Sequence, residues 1–93
     1  MKHLYIEVIE AIVSDKRSTF GAIAVARIAK VPGLQLDDGG KVESLTGDPL
    51  TVLVDVLACY EKLAGKMSVI MCRKVVDPIR ARAPTLVLPP ALS

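Results

Sequence analysis

Histidine, cysteine and aromatic residues are all scarce in this chain. Its 93 residues include one histidine, two cysteines, two tyrosines, one phenylalanine and no tryptophan. A hydrolase with a serine or cysteine nucleophile needs a neighbouring base, most often a histidine, and the single His3 stands where a helix end would fray. The His, Cys and carboxylate residues also lack the spacing of metal ligands. The sequence therefore predicts a protein that is not an enzyme and that holds no cofactor or metal.

The two cysteines, Cys59 and Cys72, both lie in apolar runs and are thirteen positions apart. This spacing matches no metal or redox motif, so we interpret both as buried free thiols. Free thiols indicate a reducing compartment and hence the cytoplasm. Glu7 and Glu10 interrupt the first apolar stretch, and no apolar run reaches the length of about eighteen residues that a membrane helix needs. Neither a signal peptide nor a membrane contact is predicted.

Hydrophobic residues nevertheless make up 52% of the chain, of which few are aromatic, so the core must be aliphatic. A chain this short buries only a modest core, and surplus apolar surface is often covered by self-association. We therefore expect a non-catalytic interaction or regulatory module that forms a homo-oligomer, most simply a dimer. Its interface residues are predicted to be Leu53, Val56, Leu57, Tyr60, Leu86 and Leu88.

The net charge of +2 is too small to predict a nucleic-acid partner, and three scattered aromatic rings offer no platform for stacked bases. The excess of positive charge lies in the segment 73–82, which gives a second hypothesis, weak binding of anions or nucleic acid. Its candidate residues are Arg73, Lys74, Arg80 and Arg82. A third hypothesis, a small-molecule-binding accessory subunit, rests on the apolar surplus alone.

The best-defined element is a helix over residues 49–64. Asp48 can cap its first free N–H groups, Pro49 suits the first helical position, and Gly65 can close the last turn. Its apolar residues form two ridges, whereas a helix on a surface needs only one. The sequence therefore predicts a helix that is packed from two sides. The ridges are Leu50, Leu53, Val54, Leu57 and Ala64, and Val52, Val56, Cys59 and Leu63.

Two segments fit either a helix or a strand. Polar residues of segment 3–17 recur at spacings of three and four, which favours a helix, while its many β-branched residues keep a strand possible. Segment 67–76 is short enough for a buried strand. As a helix it would carry an apolar face, and Asp77-Pro78 would either break it or begin a last turn through Arg82. That apolar face comprises Met67, Ile70, Met71 and Val75.

A second helix is predicted from Thr19 to about Lys30, with Ser18 as its cap and Pro32 after its end. The glycine pair Gly39-Gly40 then predicts a two-residue hairpin turn between strands at 34–38 and 41–45. The spacing around this pair fits neither a calcium loop nor a phosphate-binding loop.

These elements predict a mainly helical protein with a small β-hairpin, in the order α-α-β-β-α-α. If segments 3–13 and 67–76 are strands, the order becomes β-α-β-β-α-β, the ferredoxin-like arrangement. Residues 1–82 are predicted to form one compact domain. The segment 83–93 contains three prolines and several apolar residues, and it is either an extended arm that docks in a groove, on this subunit or a neighbour, or a floppy terminus.

Overall fold

The protein is mainly helical, as predicted. The computed structural model describes residues 2–92, so Met1 and Ser93, which the predicted domain and arm include, lie outside the described residues. Residues 3–13 and 67–76 are helical, which excludes the ferredoxin-like alternative. The elements are α1 (Lys2–Phe20), α2 (Ile23–Ile28), β1 (Leu34–Leu36), β2 (Val42–Leu45), α3 (Pro49–Ala64), α4 (Lys66–Arg82) and a short 3-10 helix (Pro90–Leu92).

The boundary between α1 and α2 differs from the prediction. Ser18 is not a helix cap, because α1 continues through it to Phe20. Gly21 still donates its N–H to the Arg17 carbonyl at 2.8 Å, and the chain leaves the helix there with a φ of 69° at Gly21. The predicted helix from 19 to 30 is thereby reduced to the six residues of α2, whose N-terminal cap position, Ala22, offers no side-chain hydrogen bond.

The hairpin forms, but its turn is longer than predicted. Asp37 and Lys41 are joined by a backbone hydrogen bond of 2.9 Å, so the loop comprises residues 38–40 instead of Gly39-Gly40 alone. The Asp37 carboxylate accepts the N–H groups of Gly39 and Lys41 at 2.9 and 2.8 Å. This side chain shapes the turn so that, of the two glycines, only Gly40 needs a positive φ, which is 85°.

The bounds of α3 match the prediction. The Asp48 side chain accepts the N–H of Leu50 at 3.3 Å and the hydroxyl of Thr51 at 2.9 Å, and Pro49 follows as the first helical residue. Gly65 alone separates α3 from α4, with φ and ψ of 83° and 179°, a combination that glycine tolerates best. The two helices pack against each other.

The helix α4 continues through Pro78 to Arg82 instead of breaking there. A proline inside a helix leaves the carbonyl four residues earlier without its N–H partner. That carbonyl belongs to Lys74, an exposed residue, and Pro78 is exposed as well. Water can therefore reach the carbonyl, which explains why this proline is tolerated.

The core lies where α3 meets its neighbours, since it packs against α1, α2 and α4 of the same chain. One face of α1 and the inner side of the hairpin complete it. The core is mainly aliphatic, as expected from the composition, and it includes the buried Tyr5 and Tyr60. The largest fully buried side chains are Val8, Ile9, Ile12, Val13, Ile28, Leu45, Leu53, Val56, Tyr60, Cys72, Val76 and Leu92.

The C-terminal arm docks on its own chain. Leu86 and Leu92 are buried in the core, and the short 3-10 helix packs against α4. The Tyr5 hydroxyl of α1 donates to the Val87 carbonyl at 2.6 Å. The arm therefore bridges the first and last long helices, which is the ordered alternative of the two that the sequence allowed.

Candidate functional site

Four of the predicted interface residues lie inside the chain. Leu53, Val56, Leu57 and Tyr60 are buried in the core around α3, and the Tyr60 hydroxyl donates to the Ala24 carbonyl at 2.7 Å. Within the arm Leu86 is also buried, and Leu88 is half-buried. The helices that cover most of the two ridges of α3 therefore come from the same chain, and Val54 of the first ridge stays 45% exposed. The larger exposed apolar surface lies elsewhere.

That surface is on α4. Met67, Ile70 and Met71 are exposed to 66%, 50% and 54%, and their spacing of three and one residues places them on one side of the helix. We call these three residues the α4 face. The sequence grouped the same side chains on one apolar face, but the structure buries the other side of the helix. The buried residues there are Ser68, Val69, Cys72, Val76 and Ile79.

Cationic side chains lie at both ends of the α4 face, and the exposed Asp77, which is paired with Arg80, follows them. Lys66 and Lys74 stand four residues before and four after Ile70, so both lie on the same side of the helix as Ile70. Arg73 is exposed one turn beyond Ile70. The sequence between Lys66 and Val76 contains no carboxylate. The apolar side chains thus form an exposed stripe with cations at both ends.

The predicted anion-binding residues are not all available as cations. The Arg80 guanidinium lies 3.3 Å from the Asp77 carboxylate, and the Arg82 guanidinium lies 2.9 Å from that of Glu7. Each carboxylate neutralises part of the positive potential that would attract a phosphate. Lys74, the second member of the predicted set, lies at the end of the α4 face, and Arg73 is exposed beside it.

A cleft of about 880 Å³ lies between α1, α2 and the hairpin. Its polar groups hold the hairpin in place: Glu10 accepts the Val42 N–H at 2.9 Å, and Arg17 donates to the Gly39 carbonyl at 3.0 Å. The Asp37 carboxylate is engaged in its own turn. Three of the polar side chains that line this cleft therefore form hydrogen bonds that hold the hairpin, and Ser14, Ser18, Asp38 and Lys41 line it as well.

A buried polar cluster joins α1 to α4. The ammonium group of Lys16 donates to the Ser68 carbonyl at 2.8 Å, and the Cys72 thiol donates to the same oxygen at 3.3 Å. Burial raises the pKa of the Cys72 thiol, and the charge of Lys16 offsets only part of that effect. A thiol that remains protonated and enclosed is a poor nucleophile. The cluster is thus suited to holding two helices together.

Two features of residues 2–92 bear on metal binding and on membrane insertion. No group of three or more His, Cys, Asp or Glu side chains in that range is placed to hold a metal ion. In the same range no helix has both the length and the apolar character needed to cross a bilayer.

A comparison of the chain with protein-family models, with curated proteins and with solved structures finds no match in any of the three.

Proposed function

We propose that this chain is a small non-catalytic interaction module that binds another polypeptide on the α4 face. The observation that carries the proposal is the exposure of three large apolar side chains, Met67, Ile70 and Met71, on one side of one helix. Single exposed apolar residues are ordinary on protein surfaces, whereas a contiguous group of them commonly marks a binding site.

The composition of the α4 face supports the same proposal. Methionine side chains are flexible and polarisable, so they adapt to the shape of a partner, and they are common on binding surfaces. Residues at this spacing are the contacts by which amphipathic helices recognise one another or fill a groove. The rest of α4 is anchored by Val69, Cys72 and Val76, which are buried, so the face is presented by a supported helix.

The polar groups of the fold support a non-catalytic role. Glu10, Arg17 and Asp37 stabilise the hairpin, and Lys16 holds α1 to α4. Each of these four side chains is therefore engaged in maintaining the structure.

A designed amphipathic helical peptide tests this proposal. Its apolar residues would follow the spacing of the α4 face, and glutamine would occupy the flanking positions so that charge plays no part. Methyl NMR spectra recorded during a titration should show saturable shifts of Met67, Ile70 and Met71. The variant Ile70→Asp should remove these shifts, because the carboxylate must be desolvated in the complex.

The matched control is Val87→Asp, which makes the same change at a side chain that is 60% exposed on the arm. This variant should bind the peptide as the wild type does. Thermal unfolding of all three proteins establishes that each is folded. Equal binding by wild type and Ile70→Asp, or shifts confined to other methyl groups, would contradict the proposal.

A further inference from the structure

We infer that the partner of the α4 face is an acidic amphipathic helix, whose apolar residues are flanked by aspartate or glutamate. This inference rests on the proposed function and specifies its partner. The observation behind it is the positive charge of Lys66 and Lys74 at the two ends of the α4 face. A partner that was only apolar would leave these charges without a counterpart.

The positions of the two lysines define the complementary helix. Lys66 and Lys74 bracket Ile70 along the helix axis, each about 6 Å from it in axial rise. A partner helix that places an apolar side chain on Ile70 and carboxylates four residues to either side would meet both ammonium groups. The aliphatic stems of the lysines would meanwhile cover the edges of the apolar contact.

A second copy of this chain complements the charges of Lys66 and Lys74 less well than an acidic helix does. When two copies of α4 cross in antiparallel fashion at Ile70, Lys66 of one copy faces Lys74 of the other. A parallel pair brings Lys66 against Lys66 instead. Both arrangements juxtapose like charges along the apolar contact, whereas an acidic helix makes the same contacts attractive.

An anionic lipid surface would complement the positive charges as an acidic helix does, but it would not match the narrow shape of the α4 face. The exposed apolar side chains form a stripe of three residues along one helix. Stable adsorption to a membrane needs a larger buried apolar area or a second anchoring signal. A single helix with residues at matching spacing covers the stripe fully, so the geometry favours a polypeptide.

Three versions of the designed peptide test the inference. They share the apolar residues and carry glutamate, glutamine or lysine at the two flanking positions. At low ionic strength the affinity of the wild type should fall in the order glutamate, glutamine, lysine, with steps of about threefold to tenfold. Added salt should reduce the differences in affinity between the three peptides, because exposed charges are screened over about 10 Å at 0.1 M.

Charge reversal on the protein supplies the matched control. The double variant Lys66→Glu/Lys74→Glu should invert the order of the three peptides. Lys2→Glu/Lys30→Glu has the same net charge, with both changes at exposed positions outside α4, and it should keep the original order. Glutamate at position 66 also suits the N-terminal end of α4, so the variant is expected to fold.

The outcomes separate the two proposals. If the three peptides bind with equal affinity, the acidic partner is wrong while the interaction module stands. If none of them binds, both proposals fail. Binding to vesicles that contain phosphatidylserine, without binding to the glutamate peptide, would assign the face to lipid. Self-association tighter than glutamate-peptide binding at low salt would assign it to a second copy.

Discussion

The Nζ atom of Lys16 lies 2.8 Å from the carbonyl oxygen of Ser68, a contact between α1 and the first turn of α4. The lysine is only 4% exposed, and its nearest carboxylate is that of Asp15 at 3.5 Å, which reaches solvent. The Ser68 hydroxyl next to it is buried and has no hydrogen-bond partner within the described structure. A buried charge with so few partners makes this contact sensitive to substitution.

We expect Lys16→Ala to lower the free energy of unfolding by about 3 kcal/mol, because it removes a charge-assisted hydrogen bond and leaves a cavity. Lys16→Met keeps most of the side-chain volume, so it should cost about half as much or less. Urea unfolding at neutral pH measures both. Equal stability of the alanine variant and the wild type would show that the buried contact does not form.

The second prediction concerns alkaline pH. Burial, with smaller contributions from Cys72 and Cys59, raises the pKa of the Tyr60 phenol above its ordinary value of about 10. The unfolded chain therefore loses this proton at a lower pH than the folded chain does. The stability contributed by Tyr60 is complete below about pH 10 and declines as the pH rises toward the folded-state pKa, by at most about 1.4 kcal/mol per pH unit.

Tyr60→Phe separates the hydrogen bond from the titration. At pH 7 the variant should be less stable by about 1 kcal/mol, because it loses the donation from Tyr60 to the Ala24 carbonyl. Above pH 10 the difference should shrink or change sign, since phenylalanine does not ionise. Denaturant unfolding from pH 7 to 11 measures this, and a difference that grows with pH would contradict the stated cause.

The third prediction concerns the C-terminal arm. Leu92→Ala should destabilise the protein by about 2 kcal/mol, because Leu92 is fully buried. Tyr5→Phe should cost about 1 kcal/mol by removing the hydrogen bond to the Val87 carbonyl. Val87→Ala is the control within the arm, and an exposed side chain should change stability by less than about 0.5 kcal/mol. If all three variants are as stable as the wild type, the arm does not dock.

The sequence predicted the bounds of α3 because both ends of that helix carry strong local signals. Asp48, Pro49 and Gly65 define α3 without reference to the rest of the fold. The end of α1 was missed since Ser18 is a good cap in isolation, whereas the helix ends only at Gly21, where φ is 69°. The hairpin loop was missed by one residue, because the Asp37 carboxylate, and not the glycine pair alone, determines its hydrogen bonds.

The local signals that define helix ends do not predict which side of α4 is buried. Met67, Ile70 and Met71 are as apolar as the buried set, so hydropathy alone does not distinguish the two sides of the helix. One signal was present, since Val69, Cys72, Val76 and Ile79 recur at spacings of three and four over three turns. The longer of two competing apolar stripes is the better prediction of the buried side.

The last prediction concerns self-association, which the sequence analysis expects through α3. Because the predicted α3 residues are buried within the chain, we propose that any dimer forms through the α4 face instead. Sedimentation velocity over a range of concentrations should show, for the wild type, a weak dimer that Ile70→Asp abolishes and Val87→Asp retains. Because Lys66 and Lys74 would face each other, this dimer should strengthen as salt is added, whereas binding of an acidic helix should weaken. A monomer at every salt concentration would reject the dimer, and a dimer that Ile70→Asp leaves intact would show that the chains associate through another surface.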